Sequence, residues 1–174
     1  DTSGSMTRKM SDKSTVSCLE AAGLFASALS LKNAGHVDMY QYADRAAPIG
    51  VPRGGSALRM TGAIVQHANQ VGYGTDIAGA VRSTYSQHDR VVILSDGQGI
   101  NDGRAKASSV AASVPANVPV YLFNLEGYSS SPMPTGTAAR FDLGGLSDQT
   151  FKLIPLLEQG VSGDSLWPWE ISSS

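Results

Sequence analysis

Arg90-Val-Val-Ile-Leu-Ser-Asp-Gly97 decides the fold. Four apolar residues in a row, three of them β-branched, run straight into Ser95-Asp96-Gly97, which reads as a short strand ending in a tight turn. A strand with one wet face alternates apolar and polar side chains. This one does not alternate, so both of its faces are expected to be covered, as in a parallel sheet between helices. Val118–Asn124 is a second run of the same kind.

Working outward, the segments between such runs carry helical spacing. Ser14 or Thr15 can cap a helix reaching about Lys32, with Leu19, Ala22, Phe25, Ala26 and Leu29 on its buried stripe. Asn33-Ala-Gly35 stops it. Val37–Tyr42 reads as a strand and Ala46–Val51 as a short edge strand or loop. Helices are predicted over Ser56–Gln70, after Thr75 with Ile77, Ala80 and Val81 buried, and over Asp102–Val114. Glu126–Ala139, rich in Gly, Ser and Pro, is a loop, Arg140–Leu143 a short edge strand, and Ser147 caps a last helix to about Glu158. No internal repeat is visible. Alternating strands and helices of these lengths predict an α/β fold: a doubly wound, mostly parallel sheet with helices on both faces. The domain is expected over residues 1–160, with 161–174 a C-terminal extension.

Composition sets the functional bounds. The 174 residues are 41% hydrophobic and 16% charged, enough apolar material for a core and too little charge for a disordered chain. A net charge of -2 provides no whole-domain basic field for tracking phosphates. One cysteine, Cys18, excludes an internal disulfide and any multi-cysteine zinc site. No apolar run approaches the roughly 20 residues that span a bilayer. No basic start leading into an apolar stretch is visible, so a cytoplasmic protein without membrane partners is expected.

Three separated segments carry the chemistry: Asp1-Thr-Ser-Gly-Ser5, Gly74-Thr75-Asp76 and Leu94-Ser-Asp96-Gly97. Each is expected on a loop at the carboxyl edge of the sheet, where ligand crevices form in open α/β folds. The candidate ligands among them, Asp1, Asp96, Ser3, Ser5 and Thr75, offer two carboxylates and three hydroxyls, with no sulfur or imidazole. Hard oxygen donors suit Mg²⁺, with Mn²⁺ or Ca²⁺ as alternatives, over zinc or copper. Asp1 and Asp96 roughly neutralise a divalent ion, and Ser3, Ser5 and Thr75 add neutral oxygens. Mg²⁺ wants six ligands, so such a site keeps a position for water or an incoming acidic group. The bland alternative is that the serines cap a following helix and Asp96 merely turns the chain.

These residues resemble the metal-ion-dependent adhesion site of von Willebrand factor A domains, and the alternating architecture extends the resemblance over almost the whole chain. It implies that Ser3, Ser5 and Thr75 ligate the metal while Asp1 and Asp96 often act through water. It also implies a strand leading into Asp1 that lies outside this numbering. Asn124-Leu-Glu-Gly-Tyr128, then Gly144-Gly145-Leu146-Ser-Asp148 and a terminal helix, is more narrowly similar to the A domain closing bacterial TROVE (Ro autoantigen) proteins. That likeness implies a ribonucleoprotein whose other part, a ring of helical repeats, binds small noncoding RNA. It also implies a protein partner that lends an acidic group to the metal. Other bacterial A domains, chelatase or AAA-linked, are the alternative.

An enzyme is not expected. The chain has no G-x-S-x-G elbow, no phosphate-binding P-loop and no G-x-G-x-x-G fingerprint. Metal-assisted phosphoester hydrolysis would need a second metal or a placed base, and the sequence nominates neither. His36, His67 and His88 are scattered and read as surface or hydrogen-bonded residues. Cys18 falls on an apolar helix face and is expected to be unreactive. Arg45, Arg53, Arg59 and Lys32 read as a solvated face, and Trp167-Pro-Trp169 as a hook docked on this same domain.

Overall fold

The computed structural model describes residues 1–52, 54–98, 110, 112–126, 139–147, 149, 150, 152, 154 and 157. It is a mixed α/β protein. After a 3-10 turn over Gly4–Thr7 come α1 (Cys18–Lys32), β1 (Met39–Tyr42), β2 (Ala46–Ile49), α2 (Ala57–His67) and α3 (Ile77–Thr84). The strands β3 (Val91–Ser95), β4 (Val120–Asn124) and β5 (Arg140–Gly144) follow. The β3-β4-β5 sheet is parallel, with Val91 opposite Val120 and Val120 opposite Arg140.

The unalternating strands are buried on both faces, as the sequence predicts. Ile93, Val120 and Leu122 face one core with Ile77, Ala80 and Val81 of α3 and with Val110 and Val114. Leu94, Tyr121, Phe123 and Leu143 face the other, with Cys18, Leu19 and Ala22 of α1, and Ile154 and Leu157 beside them. Phe25 packs on Phe123 with ring centroids 5.7 Å apart, and Tyr121 stacks on Phe141 at 5.1 Å. All five β4 residues are buried, so it is the middle of the parallel sheet in every direction.

Several expectations need correcting. The cap of α1 is Ser17 rather than Ser14 or Thr15: its hydroxyl accepts from the Glu20 amide while the Glu20 carboxylate takes the Ser17 amide. This reciprocal pair is a capping box, and it fixes the helix start at Cys18. β1 begins at Met39 rather than Val37, and α2 gives way to a 3-10 turn over Ala68–Val71. The sheet is less uniformly parallel than predicted, because β1 and β2 form a separate antiparallel pair, Met39 opposite Ile49. Residues 127–138 of the predicted Glu126–Ala139 loop, most of the Asp102–Val114 helix and the 161–174 extension, with Arg53 and both tryptophans, lie outside the described residues. Of the last helix, Gln149, Thr150, Lys152, Ile154 and Leu157 are helical, and the Ser147 hydroxyl accepts from the Thr150 amide, as a cap should.

Between β1 and β3 lies a cleft of about 640 Å³. Apolar side chains of α1, α2 and β3 line it, among them Phe25, Leu29, Ile64 and Val91. Residues 1 and 2 bridge one end: the Asp1 nitrogen donates to the Leu94 carbonyl (2.9 Å) and the Thr2 amide to that of Tyr42 (2.8 Å). At the other end His88 Nε2 meets the Asp38 carboxylate at 2.9 Å.

Candidate functional site

The bridge across the cleft sets the site. Because Asp1 and Thr2 are held between the last residues of β1 and β3, the loop that follows opens at the carboxyl end of the parallel sheet. The Asp1 carboxylate takes two bonds there. One oxygen accepts from the Ser3 amide at 2.9 Å, the other from the Ser95 hydroxyl at 2.5 Å. Ser3 and Ser5 point the same way, their hydroxyl oxygens 3.2 Å apart. Ser3 precedes the 3-10 turn yet its side chain makes no capping bond to it. The hydroxyl is therefore not explained by helix capping.

Asp96 follows β3 directly and is fully buried. One carboxylate oxygen accepts from the Gln98 amide at 3.0 Å, turning the chain as the bland alternative expects. The other, Oδ2, is buried with no hydrogen-bond partner. A buried carboxylate oxygen left bare is costly, so this atom calls for a water or a cation. Gly97, at φ 74°, supplies the left-handed step that brings the chain back beneath it. Its amide donates to the Ser95 hydroxyl, which is thus bonded on one side to the turn and on the other to Asp1.

The Asp96 charge is felt nearby. Burial first, and the Asp96 charge behind it, push the Tyr42 phenol above its ordinary range. Burial, with Glu126 and then Asp96 adding to it, pushes the Cys18 thiol up to about 11. Cys18 is thus a protonated, buried thiol under the site, in line with the unreactive role predicted for it.

Thr75 enters from a third side. The Gly4 amide, between the two serines, donates to the Tyr73 carbonyl at 3.1 Å, and the Asp76 amide donates to the Ala43 carbonyl at 2.9 Å. Those two bonds pin Gly74-Thr75 between the first loop and the end of β1, with Thr75 partly buried. Asp76 is occupied in capping α3, accepting from the Gly79 amide at 2.8 Å. Asp1, Ser3 and Ser5 are thus joined by direct bonds, Asp96 is the neighbour of the Ser95 that bonds Asp1, and Thr75 comes through its backbone neighbours.

Sequence reasoning missed Ser95, although its place in Ser-Asp-Gly, one residue from Asp96 and at the strand's end, was a usable signal. It also missed Glu126, which accepts from the Gln98 side chain at 3.2 Å. Among the described residues no three His, Cys, Asp or Glu side chains gather as a metal-holding group. The donor set here is of another kind, two carboxylates with hydroxyls. No described helix is long and apolar enough to cross a membrane. No family model, curated protein or solved structure matches the chain.

Proposed function

We propose that this chain is a binding module of the von Willebrand factor A type, which uses a divalent ion, Mg²⁺ first, to take an acidic group from a protein partner. The observation that carries the proposal is the bare, buried Oδ2 of Asp96 beside a loop whose two serine hydroxyls face one another. An all-oxygen set of two carboxylates and neutral hydroxyls fits a hard cation that is under-liganded by protein. Ser3, Ser5 and Thr75 would hold the ion, with Asp1 and Asp96 balancing its charge, directly or through water. When bound, the metal supplies residual positive charge for an incoming carboxylate. The chain's own part is to keep Asp1 fixed through Ser3 and Ser95, and to keep Asp96 dry so that its charge is little screened.

The finer fold belongs to the same proposal. With β2-β1 on one side of the cleft and β3-β4-β5 on the other, the chain steps outward in both directions from it. A doubly wound sheet has that order around its switch point. The wider setting, a TROVE/Ro-like ribonucleoprotein in the cytoplasm whose remaining part binds small noncoding RNA, rests on the short Asn124–Tyr128 and Gly144–Asp148 likenesses. The module itself is proposed to be non-catalytic.

Thermal unfolding with and without Mg²⁺ tests the metal. An ion a hundredfold above its dissociation constant stabilises by about 2.7 kcal/mol. For a domain of this size that is a rise of roughly 5–11 °C. The rise should vanish in Asp96→Asn and in Thr75→Ala. An unchanged midpoint at 10–20 mM Mg²⁺ would remove the metal from the proposal, and turnover of a model phosphodiester dependent on Asp1 and Asp96 would overturn its non-catalytic character.

A further inference from the structure

Asp44, in the tight turn between β1 and β2, is an exposed carboxylate that no part of the sequence pattern singled out. Its surroundings are unusual for a surface acid. The carboxylate accepts from the Tyr73 amide at 3.0 Å. It also lies in a notch made by two glycines: a Cβ on Gly72 would meet its Oδ2, Cγ and Cβ, and a Cβ on Gly74 would meet its Oδ1. Gly72 needs to be glycine in any case, at φ 106°; Gly74 has no such backbone requirement, so the carboxylate alone explains its missing side chain. The backbone amides of Asp44 and Arg45 both donate to the Val71 carbonyl, and the Arg45 guanidinium donates to that of Gln70.

The main chain of Tyr73 is where this clamp reaches the site. Its N–H is held by Asp44, and its carbonyl receives the Gly4 amide at 3.1 Å. Gly4 stands between Ser3 and Ser5, and Tyr73 stands two residues before Thr75. The two groups belong to the successive peptide planes that meet at the Tyr73 Cα, so holding both restricts the φ and ψ of this one residue and with them the relative position of the two loops.

We propose that Asp44 is a positioning residue: through the main chain of Tyr73 it holds Thr75 in register with Ser3 and Ser5. The part of this that concerns metal affinity rests on the function proposed above; the register itself does not. The amide-bearing Asn keeps an acceptor oxygen in the same place, whereas Ala removes it.

Hydrogen exchange at single amides, measured on the full chain, tests the register without any metal. Asp44→Ala should speed exchange of the Gly4 and Tyr73 amides at least tenfold while core β4 amides stay within about twofold of wild type, and Asp44→Asn should restore protection. Gly74→Ala should loosen the same two amides in the wild-type background and do so much less in Asp44→Ala, because the atom it strikes is gone. Unchanged protection of Gly4 in Asp44→Ala overturns the proposal, and so does uniform acceleration across the protein. In parallel, the Mg²⁺ concentration giving half the thermal shift should rise about tenfold in Asp44→Ala and return in Asp44→Asn. A wild type that shows no Mg²⁺ response sinks the metal and leaves the exchange result to decide the clamp.

Discussion

Replacing Arg140 by methionine should cost about 3 kcal/mol of folding stability, and the structure says where that loss arises. Arg140 opens β5 and is buried. One guanidinium nitrogen donates to the carbonyls of Val118 (2.7 Å) and Ala139 (3.1 Å), the other to those of Val114 (2.7 Å) and Pro115 (3.0 Å). Ala139 and Pro115 keep second donors, the amides of Val120 and Val118. Val114 and Val118 lose the guanidinium donor, and among the described residues no loop or turn amide replaces it. Two buried carbonyls stripped of a partner cost about 1–3 kcal/mol each. Against this stands relief from holding a charge out of water, a strain visible in the burial that lowers the guanidinium's pKa. Methionine keeps the apolar stem's volume, so little cavity cost is added. Urea unfolding followed by far-UV circular dichroism should show a lower midpoint with an unchanged slope, and heating a midpoint lower by roughly 6–12 °C. Arg140→Lys should lose about half as much, since a compact ammonium cannot reach both pairs of carbonyls at once. A loss under about 0.5 kcal/mol for the methionine variant would refute the idea that this guanidinium stitches the approach to β4 onto β5.

Thr75→Ala should leave stability in the absence of metal within about 0.5 kcal/mol, because the residue is only partly buried; a globally unfolded variant would put that hydroxyl in the fold rather than in the site. The Cys18 thiol, pushed up to about 11, should resist aromatic disulfide reagents at pH 8 in the native state and react at once in urea. Since its native pKa lies above the unfolded one, its contribution is whole below about pH 8.5 and is lost as pH rises through 11, so Cys18→Ala should flatten stability over that alkaline range. Ser17→Ala should cost about 1 kcal/mol. Glu20, held below the usual carboxyl range by the Ser17 amide first and the Ser17 hydroxyl second, adds stability above its unfolded pKa that is lost as acid protonates it; Glu20→Gln should remove that limb from a pH–stability curve.

The strands buried on both faces were legible because continuous apolar runs leave no wet side, and β3, β4 and β5 fall close to the predicted stretches. The start of α1 was misplaced although Ser17-Cys-Leu-Glu20 carries the capping-box spacing; three candidate hydroxyls within four residues hid it. The β1-β2 hairpin was not legible, since its Ala43-Asp44-Arg45 turn contains none of the glycine or asparagine that marks tight hairpins. Within the site, the side-chain types and their carboxyl-edge loops could be read from spacing, and Asp1, Ser3 and Ser5 do converge with the strand end preceding Asp96. What spacing could not give is any contact made through carbonyl groups, which every residue possesses alike. Arg140 and the Tyr73 carbonyl both work that way, and neither leaves a mark on the pattern of residue types.

The cleft has a brace at each end, and the two are of opposite character. Near the site the brace is two main-chain nitrogens, the Asp1 amine and the Thr2 amide, donating to neutral carbonyls, contacts that depend little on ionic strength. At the far end it is one imidazole against one exposed carboxylate, His88 to Asp38, an ion pair only while the imidazole is protonated and, in that state, one that dissolved salt weakens. Saline conditions therefore slacken this frame from its remote corner first, while the corner that carries Asp1 and Thr2 keeps its tension.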